Sequence, residues 1–197
     1  MKIFFIRHGE TTGDVENLYG GDYDDSLSEK GTEQSKDLAG VLKDTGIEII
    51  VSSPLLRAKE TAQCIAEQVK CHVIIDSKLK ERNQYGVLTG MNKDLAKEKY
   101  PTQVEMLKDR NNTIEEAETY EDFSKRITDV FQKLADSPEY KIIAIVSHGG
   151  PMRVLFRDIL KWGELKEIGD CSFVELEKSK DSFSLLRSGG LVMDFGK

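Results

Sequence analysis

Ile3-Phe4-Phe5-Ile6-Arg7-His8-Gly9-Glu10-Thr11 joins two different kinds of sequence without a spacer. Its first four residues are an unbroken apolar run, the pattern of a strand buried on both faces. A cation, an imidazole and a glycine follow at once. Neither Arg7 nor His8 can be buried unpaired without a large desolvation cost, so both read poorly as core. They read well as chemistry, because open α/β sheets bind ligands beyond the carboxyl ends of their strands.

Two later stretches repeat the pattern. Ile47-Glu48-Ile49-Ile50-Val51 runs into Ser52-Ser53-Pro54 with Arg57 close behind, and Ile142 to Ser147 runs into His148-Gly149-Gly150-Pro151. If the three strands are parallel neighbours, Arg7, His8, Arg57 and His148 converge on one mouth. Such a cluster, with helix N-termini pointing in, suits a dianion such as a phosphate group.

The sequence between these runs supplies helices. Ser28 reads as the N-cap of a helix over Glu29–Asp44, with Leu38, Val41 and Leu42 inward and Gly46 just past its end. A second spans Leu56–Val69, with Ala58, Thr61, Ala62, Ile65, Ala66 and Val69 on one face. His72–Ile75 is a short strand. The alternation predicts right-handed βαβ units in a three-layer α/β/α fold with a mostly parallel central sheet. Lys78 to Glu118 is less patterned, with helical character over Asn92–Tyr100 and Val104–Arg110. We expect this 78–118 segment to be an insertion over the mouth of the site, within one domain of 197 residues.

Thr119 and Asp122 resemble a capping box, opening a helix whose apolar stripe is Phe123, Ile127, Val130, Phe131 and Leu134. A helix from Pro151 to about Lys161 should follow the third strand. Ser172–Glu177 and Phe183–Arg187 read as strands joined by the turn Lys178–Ser182, adding an antiparallel edge. Gly189–Lys197 carries no signal.

A net charge of −7 argues against nucleic-acid and anionic-membrane partners. It does not argue against a small phosphorylated substrate, since a local cationic pocket prevails at contact range. No apolar run approaches the roughly 20 residues of a membrane span. The first strand starts at Lys2, so we expect no leader peptide, and three sparse cysteines imply no disulfide framework. The expected location is cytoplasmic; monomer and homodimer both stay open. Cys64 and Cys71 have the wrong spacing for a Cys-x-x-Cys metal site.

Four motifs now stand in order: Arg7-His8-Gly9-Glu10-Thr11; Ser52-Ser53-Pro54-Leu55-Leu56-Arg57-Ala58 with Glu60-Thr61-Ala62; Glu81-Arg82; and Ser147-His148-Gly149. Together they resemble the histidine phosphatase superfamily, which includes the cofactor-dependent phosphoglycerate mutases. The resemblance spans most of the chain and implies a phosphoglycerate mutase-like fold, a phosphohistidine intermediate, and no metal or resident cofactor.

On that reading His8 is the nucleophile, because a neutral imidazole nitrogen can attack phosphorus. Gly9 would let backbone pack close and set the ring's tautomer. Arg7 and Arg57 would grip phosphoryl oxygens as bidentate donors, and His148, charged in so anionic a complex, would add another donor. Glu81 is the candidate acid and later base; its choice rests on the match of Leu79-Lys80-Glu81-Arg82 to the family motif. Candidate substrate-binding positions are Thr11, Asp14, Asn17, Gly20, Gly21, Arg82, Tyr85, Lys93, Arg110 and Gly149.

One departure concerns the position six residues after the nucleophile, where the family usually has Asn and this chain has Asp14. Either Asp14 binds a neighbouring Arg or Asn17 substitutes from the same loop. Tyr85-Gly86 and Gly90-Met91-Asn92-Lys93 look mutase-like. Against that, Asn83-Gln84 adds a residue, Asp109-Arg110 stands where the mutases have an Arg pair, and their longer insertion is largely missing. The expectation is therefore hydrolysis. A mutase primed by 2,3-bisphosphoglycerate is the alternative, and a silent phosphate-binding protein is a third reading. A metal-dependent hydrolase is disfavoured by Arg7 and Arg57 beside His8.

Overall fold

Strand β1 (Lys2–Arg7) lies inside the sheet, with Ile3, Phe4, Phe5 and Ile6 all at 0% exposure. The computed structural model describes residues 1–180 and 182–194. After β1 come α1 (Thr12–Val15), α2 (Glu29–Leu42), β2 (Ile49–Ser52), α3 (Leu56–Val69) and β3 (His72–Ile75). Short helices α4 (Lys93–Lys99) and α5 (Pro101–Met106) precede α6 (Tyr120–Ala135), β4 (Ile142–Ser147) and α7 (Gly149–Val154). Strands β5 (Glu164–Lys178) and β6 (Phe183–Asp194) complete the described chain.

The sheet order is β3-β2-β4-β1-β5-β6. The first four strands are parallel, and β1–β5 and β5–β6 pair antiparallel. Alternate side chains of each central strand face opposite layers. Phe4, Ile6, Ile50, Ala144 and Val146 pack with Leu38, Leu42, Ala62 and Ile65 of α2 and α3. Phe5, Val51, Ile143 and Ile145 pack on the other face with Val130, Phe131 and Phe156. The expected three layers are present.

Three details differ from expectation. Val41 is 54% exposed, while Gly31, Ser35, Leu38, Ala39 and Leu42 form the inward stripe of α2. Position 41 falls a third of a turn off that stripe. The antiparallel edge is the expected pair of strands but longer: β5 starts at Glu164, and β6 takes in Gly189–Asp194, which carried no pattern. These strands are partly solvated and interrupted by register shifts, with Cys171 at φ 51 inside one of them, so their period-2 signal is broken. Asp181 of the predicted turn, and Phe195, Gly196 and Lys197, lie outside the described residues. Finally, α7 ends at Val154 and continues as a π-helical turn, Leu155–Ile159, in place of a regular helix to Lys161.

Residues 77–118 hold two 3₁₀ turns, α4 and α5, and pack their own cluster of Leu88, Ala96 and Ile114 against Tyr19.

Candidate active site

Register places the chemistry. Arg7 pairs with Ser147, and both Ile6 and Ser52 pair with Val146, so β1, β4 and β2 end level with one another. The next residues therefore meet in one row, and the His8 and His148 rings lie edge to face with centroids 5.0 Å apart. Backbone bonds stitch the row: His8 N–H donates to Ser147 O (3.2 Å), and Cys171 N–H from the β5 bulge donates to His8 O (3.0 Å).

His8 is 6% exposed. Its Nδ1 lies 2.7 Å from Gly9 O, an acceptor only, so Nδ1 carries the proton. Arg57 Nε–H then donates to the lone pair on Nε2 at 3.1 Å. Burial, followed by the Arg57 and Arg7 guanidiniums, pushes the imidazole well below its ordinary value. It is neutral near pH 7, with Nε2 the nucleophilic atom. Gly9 is required by packing, since a Cβ there would sit 2.5 Å from Gly31 O.

Arg57 is more committed than the bidentate expectation allows. Besides Nε, Nη1 donates to Asp25 Oδ1 (2.7 Å) and Tyr23 O (2.6 Å), and Nη2 to Gly21 O (2.7 Å). One Nη2 hydrogen remains, plus Nε–H once Nε2 has bonded to phosphorus. Asp25 and Gly21 thus hold the guanidinium in place. Arg7 is anchored by Asp170 at 3.2 Å and by the Ile168 carbonyl.

His148 is fully buried, and Ser53 Oγ lies 2.7 Å from its Nε2. Leu55 N–H donates to the same hydroxyl (3.3 Å), which lets Ser53 give its own hydrogen to Nε2 and leaves the proton on Nδ1. That Nδ1 has no hydrogen-bond partner among the described residues, a fit for an anion's oxygen. The charge expected on His148 belongs to the complex with an anion. Burial and then Arg57 push it well below the ordinary value, so without an anion it is neutral.

Glu81 follows the 3₁₀ turn Ser77–Leu79, which Ser147 Oγ–H ties down through Leu79 O (2.7 Å). Its carboxylate accepts from Gly150 N–H and Arg82 N–H, both at 2.8 Å. A Cβ on Gly150 would fall 2.1 Å from Glu81 Oε1, so only glycine admits the carboxyl here. Burial raises its pKa despite the two donors. Arg126 of α6, not singled out in the sequence, donates to the carbonyls of Lys78, Lys80 and Glu81.

Around His8 opens a cavity of about 170 Å³, lined by Arg7, Thr11, Asp14, Gly20, Gly21, Arg57, Glu81, Tyr85, Lys93 and Gly149 among the predicted positions. Arg82 and Arg110 line a second cavity of about 270 Å³ that shares Arg7, Glu81, Gln84 and Gly149 with the first. Neither alternative offered for the Asp14 departure is seen among the described residues. Asp14 pairs with no Arg there: its carboxylate accepts from Thr11 N–H (3.1 Å) and Oγ1–H (3.0 Å), the capping box of α1. Asn17 is exposed at φ 56, lines neither cavity, and accepts Lys93 N–H through its carbonyl.

Ser53, Asp25, Arg126, Arg153, Arg157 and Tyr120 also belong to the site and were missed as such. Ser53 stood inside a quoted motif, and Asp25 in an acidic loop; the other four carried no local signal. No group of three or more His, Cys, Asp or Glu is arranged to hold a metal among the described residues.

The model of the histidine phosphatase superfamily (branch 1) matches residues 3–189. The chain is 31% identical over 204 aligned residues to the probable phosphoglycerate mutase GpmB of Escherichia coli O1:K1, covering 100% of this chain and 93% of that protein. A mycobacterial glucosyl-3-phosphoglycerate phosphatase, solved with VO3, superposes with a TM-score of 0.81 at 26% identity over 93% of this chain and 96% of that one. Bacillus stearothermophilus YhfR shares the fold with a TM-score of 0.84 at 23% identity, over 94% and 95% of the two chains. With the neutral His8, its Arg57 partner and the buried Glu81 carboxyl in place, these matches identify the chain as a member of the histidine phosphatase superfamily.

Proposed function

We propose that the protein is a phosphatase that hydrolyses a small phosphate monoester through a phosphohistidine on His8. The carrying observation is the pairing of a neutral His8, lone pair on Nε2, with a Glu81 carboxyl whose pKa burial raises. Nε2 attacks phosphorus, the P–O ester bond breaks, and Glu81 gives its proton to the departing alkoxide. The Glu81 carboxylate then takes a proton from water, the oxygen of that water attacks phosphorus, and the N–P bond breaks. Arg7, Arg57 and the Nδ1–H of His148 spread the equatorial charge.

Glucosyl-3-phosphoglycerate phosphatase activity in a neighbour supports hydrolysis. The name of the E. coli relative supports the second reading, a mutase that passes the same phosphoryl group to a second hydroxyl and needs 2,3-bisphosphoglycerate as primer. Tyr85 and Lys93 in the His8 cavity are compatible with it. Residues 78–118 act, on either reading, as a cover that selects substrate.

We further propose that the enzyme needs no metal or resident cofactor and works in the cytoplasm, as a monomer or homodimer. Cys64, Cys71 and Cys171, all unpaired, support that location, as does a described chain with no helix long and apolar enough to cross a membrane.

Quenching turnover with alkaline denaturant should trap a base-stable, acid-labile phosphoryl adduct, absent from His8→Ala. Incubation with 3-phosphoglycerate and primer should release phosphate; isomer without free phosphate would overturn hydrolysis in favour of the mutase.

A further inference from the structure

The chain enters Glu81 through a turn that no sheet supports, yet the four carbonyls from Lys78 to Glu81 are all held by side chains. Ser147 Oγ–H takes Leu79 O (2.7 Å), and Arg126 of α6 takes the other three. Its Nη1 donates to Lys78 O and Lys80 O (2.8 Å each), and Nη2 to Glu81 O (3.0 Å). Nε and the second Nη2 hydrogen go to the two carboxylate oxygens of Glu118, at 2.6 and 2.8 Å. A guanidinium has five N–H donors, and here each has its own acceptor. None is left for a ligand.

These acceptors lie at the two ends of the 78–118 segment. Other bonds join the same ends: Glu118 N–H donates to Asn83 O (2.7 Å), and Arg82 Nε–H to Glu118 O (3.0 Å). Arg126 is thus a clasp at the base of the cover. Its guanidinium rests 4.9 Å from the ring centre of Phe123, one turn earlier on α6.

One peptide unit links the clasp to the chemistry. The Glu81 carbonyl accepts from Arg126, while the N–H of the same peptide, that of Arg82, donates to Glu81 Oε1 (2.8 Å). A peptide is planar, so holding its oxygen also sets the direction of its N–H. Gly150 N–H holds the other carboxylate oxygen. Without Arg126 the plane can turn, and one of the two donors that aim the carboxyl turns with it.

We propose that Arg126 is a positioning residue for the Glu81 acid, and that it ties closure of the 78–118 segment to the placement of that carboxyl. Arg126 lines neither cavity that meets at Glu81, so it acts through Glu81 and not on substrate. The inference rests on the phosphatase reading for the acid role of Glu81.

Rapid mixing with an alkaline quench measures phosphohistidine formation from two esters. The alkoxide leaving 3-phosphoglycerate needs a proton, and the leaving group of p-nitrophenyl phosphate does not. Arg126→Met should slow formation from 3-phosphoglycerate by about 10²-fold, with a loss at least about tenfold smaller on p-nitrophenyl phosphate. Added to Glu81→Gln, it should deepen the loss of that variant by less than about threefold, because both act through one carboxyl. Arg126→Lys, which keeps the charge and loses the fork, should fall between wild type and Arg126→Met. Glu118→Gln loosens the clasp from its other side and should show the same ester selectivity, which keeps the test open should Arg126→Met misfold.

Equal losses on the two esters, losses that multiply in the double variant, or full recovery in Arg126→Lys overturn the proposal. Phosphate release, followed in parallel, tells its failure from that of hydrolysis. An ester-selective loss at Arg126 in an enzyme that passes the phosphoryl group to a second hydroxyl and frees no phosphate sinks hydrolysis and keeps the positioning role. Phosphate release with an unselective Arg126→Met does the reverse.

Discussion

The two cavities that meet at Glu81 are both cationic, yet they are built differently. In the inner one Arg57 and its partner Asp25 are each 4% exposed, and the guanidinium is held by a carboxylate, two carbonyls and the His8 ring. In the outer one Glu164 is 46% exposed and shared between two arginines, while Arg82 and Arg153 donate to carbonyls and pair with no carboxylate among the described residues. The inner cavity is preassembled for one reaction. The outer is held by more exposed and shared partners. Catalysis depends on fixed donors, because reorganising them at the transition state costs rate, whereas recognition tolerates adjustable ones.

The contrast leads to graded expectations. Glu81→Gln, which joins both cavities but removes only the transferable proton, should lower kcat on alkyl phosphates by about 10²–10⁴-fold. On p-nitrophenyl phosphate the loss in the phosphorylation step should be much smaller, since that leaving group needs no proton. Equal losses on phosphohistidine formation from both esters would remove Glu81 from the acid role.

Asp25→Asn strands a buried guanidinium and should destabilise folding by about 3–5 kcal/mol in urea titrations. Glu164→Gln, at the half-exposed outer pair, should cost no more than about 1 kcal/mol. If the two variants melt alike, the inner cavity is not the more rigidly held of the two.

The histidines add a pH signature. His8 and His148 have folded pKa values well below the ordinary ~6.5. Below that pH the unfolded chain binds protons that the folded chain refuses, so stability present at neutral pH is lost as pH falls. Melting temperature should begin to drop under pH ~6.5, above the usual carboxylate range, and His148→Gln should reduce the slope. Excess inorganic phosphate should also blunt it, because a bound anion favours the charged ring.

The smallest effect is expected from Ser53→Ala. Loss of its hydrogen bond to His148 is worth about 1 kcal/mol, roughly a fivefold fall in kcat/KM. A flattened acid limb should accompany it if the hydroxyl governs which His148 nitrogen carries the proton. An unchanged profile would make Ser53 merely structural.

Much of the inner cavity could be read from single stretches. Arg7-His8-Gly9 and Ser147-His148-Gly149 each follow a buried strand directly, so strand pairing alone brings them together. Glu81 was readable only through its motif, since nothing local marks one carboxylate among 35 acidic residues. The cap that Asp14 closes on Thr11 was not read from the sequence, because a three-residue spacing alone does not name the partner of a loop carboxylate. Val41 failed for a related reason, an apolar residue one position off the buried stripe.

The amino-acid sequence by itself determined the parallel core and the two strand-end histidines, because hydrophobic periodicity and strand termini are local properties of the chain; the reaction class followed from the resemblance that its motifs carry. Only the tertiary structure decided the tautomer of His8, the neutral state of His148 and the clasp of Arg126 on the turn that carries Glu81. Those depend on burial and on partners distant in sequence: Asp25 for Arg57, Ser53 for His148, and the carbonyls of Lys78, Lys80 and Glu81 for Arg126. Desolvation and Coulomb energies are set by what surrounds a group in space.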